Sequence, residues 1–547
     1  AVLLSFDDGY ETMYNVVFPL LKAYNYPAVF APVTGWLDTP ENQKITYADK
    51  MLDRSVFATW SQVKEMEQSG LVEVASHTHN LHNGINANPS GGQLPSVIAP
   101  EYKNGKYETE DAYKNRLKSD FAHTVQTLVN HIGKKPRVMV WPYGQFNDVA
   151  VQLARQAGMP HYFSLGEKII NKVGDKHIGR LLLNAETDLN TVKNYLDGID
   201  ESKQIQRVLH VDLDYVYDAD KAQQAKNLDK LIERIYRYGV TTVYLQAFSD
   251  PDGDGVADAL YFPNKYLPVR DDIFGRIAWQ LQTRAGVQVY AWMPVLAFDL
   301  RKGVKEAEYV IDSRTGKTST KAYLRLSPYN KQNVEIIKSI YNDLSFYAKF
   351  NGILFHDDAF LTDFEGAEGD HAEGMVSPQA KQKTQDLIQL THQLTDALKP
   401  YFLRGSYSLK TARNLYASVI TNPNAEEWLA QNLKTLTDNY DTTAIMAMPY
   451  MENEQPISQK EAYQWFASLI ENVKAQAPLE KVLFEFQAVN WRTQKPIPES
   501  ELIDWMTLLQ KNHIYSYGYY PDNFLTNQPD MNKMKPYFSV NTNAGKQ

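Results

Sequence analysis

Short apolar runs recur along the chain, each followed by a polar or helical stretch, and the pattern changes character near residue 204. In the first region the runs are Ala1–Phe6, Ala28–Ala31, Val72–Ala75, Arg137–Val140 and Tyr162–Leu165. Between them, 3.6-residue periodicity predicts helices at Asn15–Tyr24, Trp60–Gln68, Glu110–His131 and Ala150–Ala157. Residues 83–107 are rich in Asn, Gly, Pro and Ser and read as a loop. Strand then helix, repeated, predicts an α/β domain with a mostly parallel sheet.

The second region is more regular. Eight apolar runs are spaced along it: Val208–Leu213, Thr242–Ala247, Val287–Pro294, Gly352–Phe355, Tyr401–Ser406, Ala444–Met448, Val482–Phe486 and Tyr515–Tyr519. Helical patterns at Ala225–Tyr238, Ile273–Arg284, Val334–Ala348 and Gln382–Leu398 lie between several of them. Eight strands alternating with helices predict a (β/α)8 barrel, with an open α/β sheet as the alternative. Several runs end in polar clusters: Asp212 with Asp214, Gln246, His356-Asp357-Asp358, and Glu485 with Gln487. Chemistry in such barrels sits at the C-terminal strand ends, so this placement marks a candidate site. The expected boundary falls in the weakly apolar stretch Asn194–Gln206, giving domains 1–203 and 204–547.

Length agrees with that division, because 547 residues exceed what one core organises. Hydrophobic residues make up 43% and charged residues 22%, the composition of a folded chain. A net charge of −9 without a basic stripe argues against a nucleic-acid partner. The 35 tyrosines and 9 tryptophans suit sugar faces as well as they suit packing. With no cysteine, disulfides, thiolate metal sites and cysteine nucleophiles are excluded. No apolar run reaches the 18 residues of a membrane span. Opening directly in a core strand, with acidic residues at its end, the chain is expected to have lost a natural leader.

Two groups of residues carry candidate chemistry. Phe6-Asp7-Asp8-Gly9 places adjacent carboxylates at a strand end, an arrangement that repulsion makes costly without a cation. His77 and His82 follow another strand end, with His79 between them. One carboxylate and two imidazoles suit a divalent ion such as Zn, Ni, Co or Fe, leaving the second carboxylate free to accept a proton from bound water. In the second region Asp357, Asp358, Glu485, Asp212 and Asp214 offer the carboxyl pair of a glycoside hydrolase. Asp250-Pro251-Asp252-Gly253-Asp254-Gly255 looks calcium-like but lacks the glutamate at position twelve of an EF-hand, so it reads as an Asx-turn loop.

Phe6–Gly9, His77-Thr78…His82 and Trp141-Pro142-Tyr143-Gly144 together resemble the carbohydrate esterase family 4 (NodB-homology) polysaccharide deacetylases. The whole chain resembles that family's two-domain branch, the poly-β-1,6-N-acetyl-D-glucosamine N-deacetylases of Gram-negative biofilm systems. The resemblance implies a NodB-like distorted (β/α) barrel followed by a TIM-like barrel. By it, Asp8, His77 and His82 bind the metal, and Asp7 is the catalytic base. His79 is not a ligand, Trp141 and Tyr143 line the substrate groove, and the Tyr143 N–H is a candidate oxyanion donor. Many members separate the two metal histidines by three residues, whereas four intervene here. The branch takes its general acid from a histidine upstream of the Asp-Asp strand; His79, His161 and His177 are poor substitutes.

The second region resembles the same branch's polymer-binding and glycoside hydrolase domain through Asp212–Tyr215, Phe355–Asp358, Lys410–Asn414, Met448–Tyr450 and Tyr519–Asp522. That implies Asp357 or Asp358 as catalytic acid, Asp212, Asp214 and Glu485 in the cleft, and Trp292, Tyr450, Trp491 and Tyr519 as stacking platforms or core. The expected substrate is poly-β-1,6-N-acetyl-D-glucosamine. The resemblance also implies a monomer in the periplasm, held to the outer membrane by a lipid anchor and partnered by an export porin. Chitin-like or peptidoglycan glycans with a non-catalytic barrel are the alternative.

Overall fold

The computed structural model describes residues 2–166, 170–184, 187–196, 205–366, 376–405 and 408–541. The chain forms two compact units. One comprises residues 1–201 with 399–408, and the other 202–398 with 409–547. The boundary expected at 203/204, and the stretch 197–204 of the proposed linker, lie outside the described residues.

In the first unit the parallel strands β1 (Leu4–Asp8), β2 (Ala28–Pro32) and β3 (Val72–Val74) form one sheet in that order. A second comprises β4 (Val138–Val140), β5 (His161–Leu165) and β6 (His177–Arg180). A parallel bridge between Ser76 and Met139 joins the two. At the far edges, the Arg180 side chain of β6 donates to Ser5 and Asp7 of β1, completing a distorted (β/α) barrel. All six strands point their C-terminal ends the same way, which gathers Asp7, Asp8, the residues after Val74 and Arg180 at one end.

Helices pack outside these strands for local reasons. α1 (Trp60–Gln68) starts on a reciprocal capping box between Thr59 and Gln62. α2 (Glu110–Ile132) starts at the Thr109 cap and stops at Gly133, whose φ of 76° suits a residue without Cβ. The expected loop 83–107 contains two small hairpins, Gly84–Asn86 with Gln93–Pro95 and Tyr102–Lys103 with Lys106–Tyr107.

The second unit is a closed barrel of eight parallel strands in sequence order, so the open-sheet alternative falls. They are β7 (Arg207–Val211), β8 (Thr242–Gln246), β9 (Gln288–Met293), β10 (Gly352–Phe355), β11 (Lys410–Tyr416), β12 (Thr442–Met446), β13 (Val482–Gln487) and β14 (Tyr517–Tyr520). β14 pairs with both β13 and β7 and closes the ring. One expected strand is corrected. The fifth is Lys410–Tyr416, not Tyr401–Ser406; residues 399–408 group instead with the first unit. There Tyr401 donates to Glu110, and Arg404 pairs with Asp148 at 2.7 Å. Among the described residues no helix is long and apolar enough to cross a membrane.

Candidate active sites

The first site is built at the ends of β1 and β3. β1 carries Asp7 and Asp8, and the chain turns at Asp8 with φ of 70°. Asp8 Oδ1 lies 3.4 Å from His77 Nε2 and 3.3 Å from His82 Nε2. One ligand atom from each of the three residues lies within 4.8 Å of the others. Tyr47, on the hairpin strand Lys44–Tyr47, donates to Asp8 Oδ2 at 2.9 Å and leaves Oδ1 facing the histidines. Burial raises the Asp8 carboxyl, but the adjacent His77, then His82 and the Tyr47 hydrogen bond outweigh it, and its pKa is lowered.

The donor set fits a divalent ion. His77 Nδ1 lies 2.7 Å from the Val140 carbonyl, which can only accept. The proton therefore sits on Nδ1, and the Nε2 lone pair faces Asp8. Burial, then the neighbouring His77, push His82 down to about 4 against the pull of Asp8, so its imidazole is neutral at pH 7. Two imidazoles and one carboxylate match the oxygen–nitrogen donor set of a metal site with open positions.

Asp7 points at a different partner. Arg180 grips it with both arms of the guanidinium, Nη1 to Oδ1 at 2.7 Å and Nη2 to Oδ2 at 2.9 Å. Each carboxylate oxygen keeps a lone pair for a further proton. Lysine at 180 would keep the charge and lose the fork. Arg180→Lys is expected to slow acetate release from an N-acetylated substrate roughly tenfold to a hundredfold. The bound-metal stoichiometry should stay that of the parent chain, as measured by elemental analysis.

The remaining first-site residues divide. Tyr143 sits in the short turn Pro142–Gly144 at φ 57°, 39% exposed, with its ring 4.5 Å from that of His82. Trp141 does not line a groove: it is 0% exposed and stacks on Phe146. That placement follows from its position directly after β4, where the chain still runs through the core. His79 Nδ1 lies 2.9 Å from the Thr34 hydroxyl and its ring stacks on His123, outside the ligand cluster. His177 Nε2 lies 2.6 Å from the Ser164 hydroxyl, and His161 opens β5 at the end away from Asp8.

The second site is a cavity of about 270 Å³ at the mouth of the closed barrel. Asp357, Glu485, His210, His356, Trp292 and Trp491 are among its lining. Glu485, buried on β13, accepts from His210 Nε2 and Asn414 Nδ2, both at 2.7 Å. Asp357 is held on both sides. Tyr323 and Tyr416 donate to Oδ2 at 2.9 and 2.8 Å, while His356 Nε2 lies 3.0 Å from Oδ1. The Trp292 N–H donates to His356 Nδ1 at 2.9 Å, which directs the ring proton of His356 to Asp357. Burial pushes Asp357 up, but His356 and the two tyrosines prevail and hold it below the usual carboxylate range. Burial disfavours charge on His356 too, yet Asp357 draws its pKa upward; the Trp292 N–H opposes a second proton there.

Asp358 cannot share that role. It is 0% exposed and accepts the backbone N–H groups of Val295, Leu296 and Ala297 at 2.6–3.0 Å, tying down the segment after β9. Both acids lie in the turn just after β10, where Asp357 meets the cavity and Asp358 meets the backbone of the segment after β9. Asp212, Asp214 and Tyr450 fall outside the cavity lining, and Tyr519 takes the core alternative. Asp214 is paired with Arg270 at 2.6 Å and with Tyr261 and Ser249. Asp212 is buried beside Tyr520, its carboxyl pushed up to about 7 by burial and then by Asp214. The Tyr450 hydroxyl donates to Glu501, and Tyr519 is fully buried against Phe538. Tyr519, on β14, faces Tyr238 and Phe538 outside the barrel, whereas Tyr450 lies on the short helix Pro449–Glu452.

With these geometries in place, the comparisons with known proteins have a site to refer to. The polysaccharide deacetylase family matches residues 1–162, and the family described as hypothetical glycosyl hydrolase family 13 matches residues 210–520. The poly-β-1,6-N-acetyl-D-glucosamine N-deacetylase of Escherichia coli (strain K12) is 40% identical over 566 aligned positions, covering 99% of this chain and 83% of that one. The chain belongs to the poly-β-1,6-N-acetyl-D-glucosamine N-deacetylase family. A Staphylococcus aureus (strain N315) enzyme of the same name is 27% identical over 202 residues, 37% of this chain and 60% of that one. The glycoside hydrolase domain of PgaB (BpsB) from Bordetella bronchiseptica is 39% identical, with a TM-score of 0.57. It covers 62% of this N-deacetylase family member, which spans the whole of that domain.

Sequence reading missed Arg180, Tyr47, Tyr323 and Tyr416 in this family member. None lies in a motif with the acid it holds; Arg180 is 173 positions from Asp7.

Proposed function

We propose that the first unit removes acetyl groups from poly-β-1,6-N-acetyl-D-glucosamine by metal-dependent hydrolysis, and that the barrel binds and cleaves the partly deacetylated polymer. The observation that carries the first half is the convergence of Asp8, His77 and His82 beside an Asp7 already oriented by Arg180. Family membership supports the substrate.

Asp8, His77 and His82 would hold the ion, which when bound polarises the amide carbonyl and lowers the pKa of water. His77 presents Nε2 because its Nδ1 proton is committed to Val140. Asp7 accepts the proton of the attacking water at a carboxylate oxygen, with Arg180 holding the carboxylate in place. The backbone N–H of Tyr143, on the turn after β4, is the donor for the developing oxyanion. The Tyr143 ring, beside His82 and partly exposed, offers a face to the sugar.

In the barrel, Asp357 and Glu485 supply the two carboxyls that glycoside hydrolysis requires. Asp357, its Oδ2 accepting from two tyrosines and its Oδ1 3.0 Å from His356, takes the base or charge-stabilising part instead of the acid's. Trp292 and Trp491 provide apolar faces in the same cavity. A monomer in the periplasm, attached to the outer membrane by a lipid anchor and delivering polymer to an export porin, completes this reading; resemblance to Gram-negative biofilm enzymes supports that setting.

The test is acetate release from poly-β-1,6-N-acetyl-D-glucosamine. Chelation should abolish it, and one equivalent of a divalent ion should restore it. Equal release from a β-1,4-linked N-acetylglucosamine polymer would transfer the assignment to chitin-like glycans.

A further inference from the structure

The acidic turn after β8 lines the barrel cavity through Asp250, Gly253, Asp254 and Gly255, and the chemistry above assigns it no role. Asp250 Oδ1 accepts the N–H groups of Gly253 and Asp254 at 2.9 and 3.1 Å, and Oδ2 that of Gly255 at 2.9 Å. The Asp250 N–H is itself held at 3.0 Å by Asp214 Oδ2, and Asp214 is locked by Arg270. The three carboxylates of Asp250, Asp252 and Asp254 come within 4.8 Å of one another, but the turn is already closed by its own backbone donors.

What the turn delivers is Gly255. Its φ is +79°, and a Cβ there would come within 2.0 Å of Tyr323 Cε1 and 2.5 Å of Cδ1. The rings of His356 and Phe360 flank the Tyr323 ring at 5.7 and 6.2 Å, and the half-buried ring also lines the cavity. Its hydroxyl donates to Asp357. Tyr323 also follows Ala322, held at a φ of 59° that L-residues rarely adopt.

We propose that the Asp250–Gly255 turn is the seat of Tyr323, and that through it Gly255 and Tyr323 act as positioning residues for the Asp357 carboxylate. The proposal rests on the glycoside hydrolase reading of the barrel. It gives the calcium-like motif a structural purpose: the missing side chain at 255 admits the ring, and the Asp250 carboxylate fixes the turn that brings it there. The groups bearing on Asp357 are His356, Tyr323 and Tyr416, with the Glu452 carboxyl also in its field. Tyr323 lends one of the hydrogen bonds that favour the charged form.

The experiment compares Tyr323→Phe, Gly255→Ala and the double variant in cleavage of partly deacetylated poly-β-1,6-N-acetyl-D-glucosamine by the full chain, across the acid range. Tyr323→Phe should lower kcat/KM about tenfold and move the acid limb of its pH profile to higher pH. Gly255→Ala should do the same, and the double variant should be no worse than the poorer single one. A Gly255→Ala loss that leaves the acid limb in place, or that multiplies with Tyr323→Phe, overturns the proposal. Should Gly255→Ala fail to fold, Asp250→Ala replaces it with the same expectations. If the parent chain cleaves nothing, the hydrolase reading is lost. The seat is then judged by the pH dependence of glucosamine-tetramer affinity in the same variants, where an unmoved acid limb rejects it.

Discussion

Asp8→Asn is expected to reduce acetate release roughly a thousandfold, because the activation of water and carbonyl by a metal ion is worth several kcal/mol. The carboxylate is the anionic member of the candidate ligand set, and two imidazoles face it. An amide in its place keeps the shape and loses the charge. Elemental analysis should find divalent metal well below one per chain after dialysis. Cleavage by the barrel should persist, since its carboxyls belong to the other unit. Full acetate release with an empty site would reject the ligand assignment.

The second large effect separates two neighbours. Asp357→Asn should abolish shortening of partly deacetylated polymer while acetate release continues. Asp358→Asn should act on stability, because Asp358 satisfies three backbone N–H groups in a fully buried position. Leaving one such donor unpaired costs about 1–3 kcal/mol, readable by denaturant unfolding. If Asp358→Asn stops cleavage at full stability and Asp357→Asn does not, the assignment of the cavity carboxylate is reversed.

Seven of the eight barrel strands were legible as apolar runs because a parallel strand buried on both faces reads that way. The fifth was not, and its residues say why. Lys410–Tyr416 carries Arg413 and Asn414 into the interior, where Arg413 donates to Tyr440 and Ala359 and Asn414 to Glu485. Polar side chains needed for the cavity disguised the strand, while the more apolar Tyr401–Ser406 imitated one. The candidate metal ligands Asp8, His77 and His82 were visible as a motif, and Asp7 was visible beside them. Their restraints were not, since Arg180 and Tyr47 reach them across the fold. The choice between Asp357 and Asp358 was likewise hidden, because adjacent identical residues differ only in the direction the turn after β10 gives them.

The Val140 carbonyl that receives the His77 ring proton belongs to the peptide chain, so any residue at 140 would present the same oxygen. Alignments of side chains therefore pass over one determinant of ligand basicity, and substitutions there conserve it in silence. What protects it is pairing register. Ser76 alternates hydrogen bonds with Val138 and Val140, and a slip of a single peptide would withdraw the acceptor and free the imidazole to change tautomer.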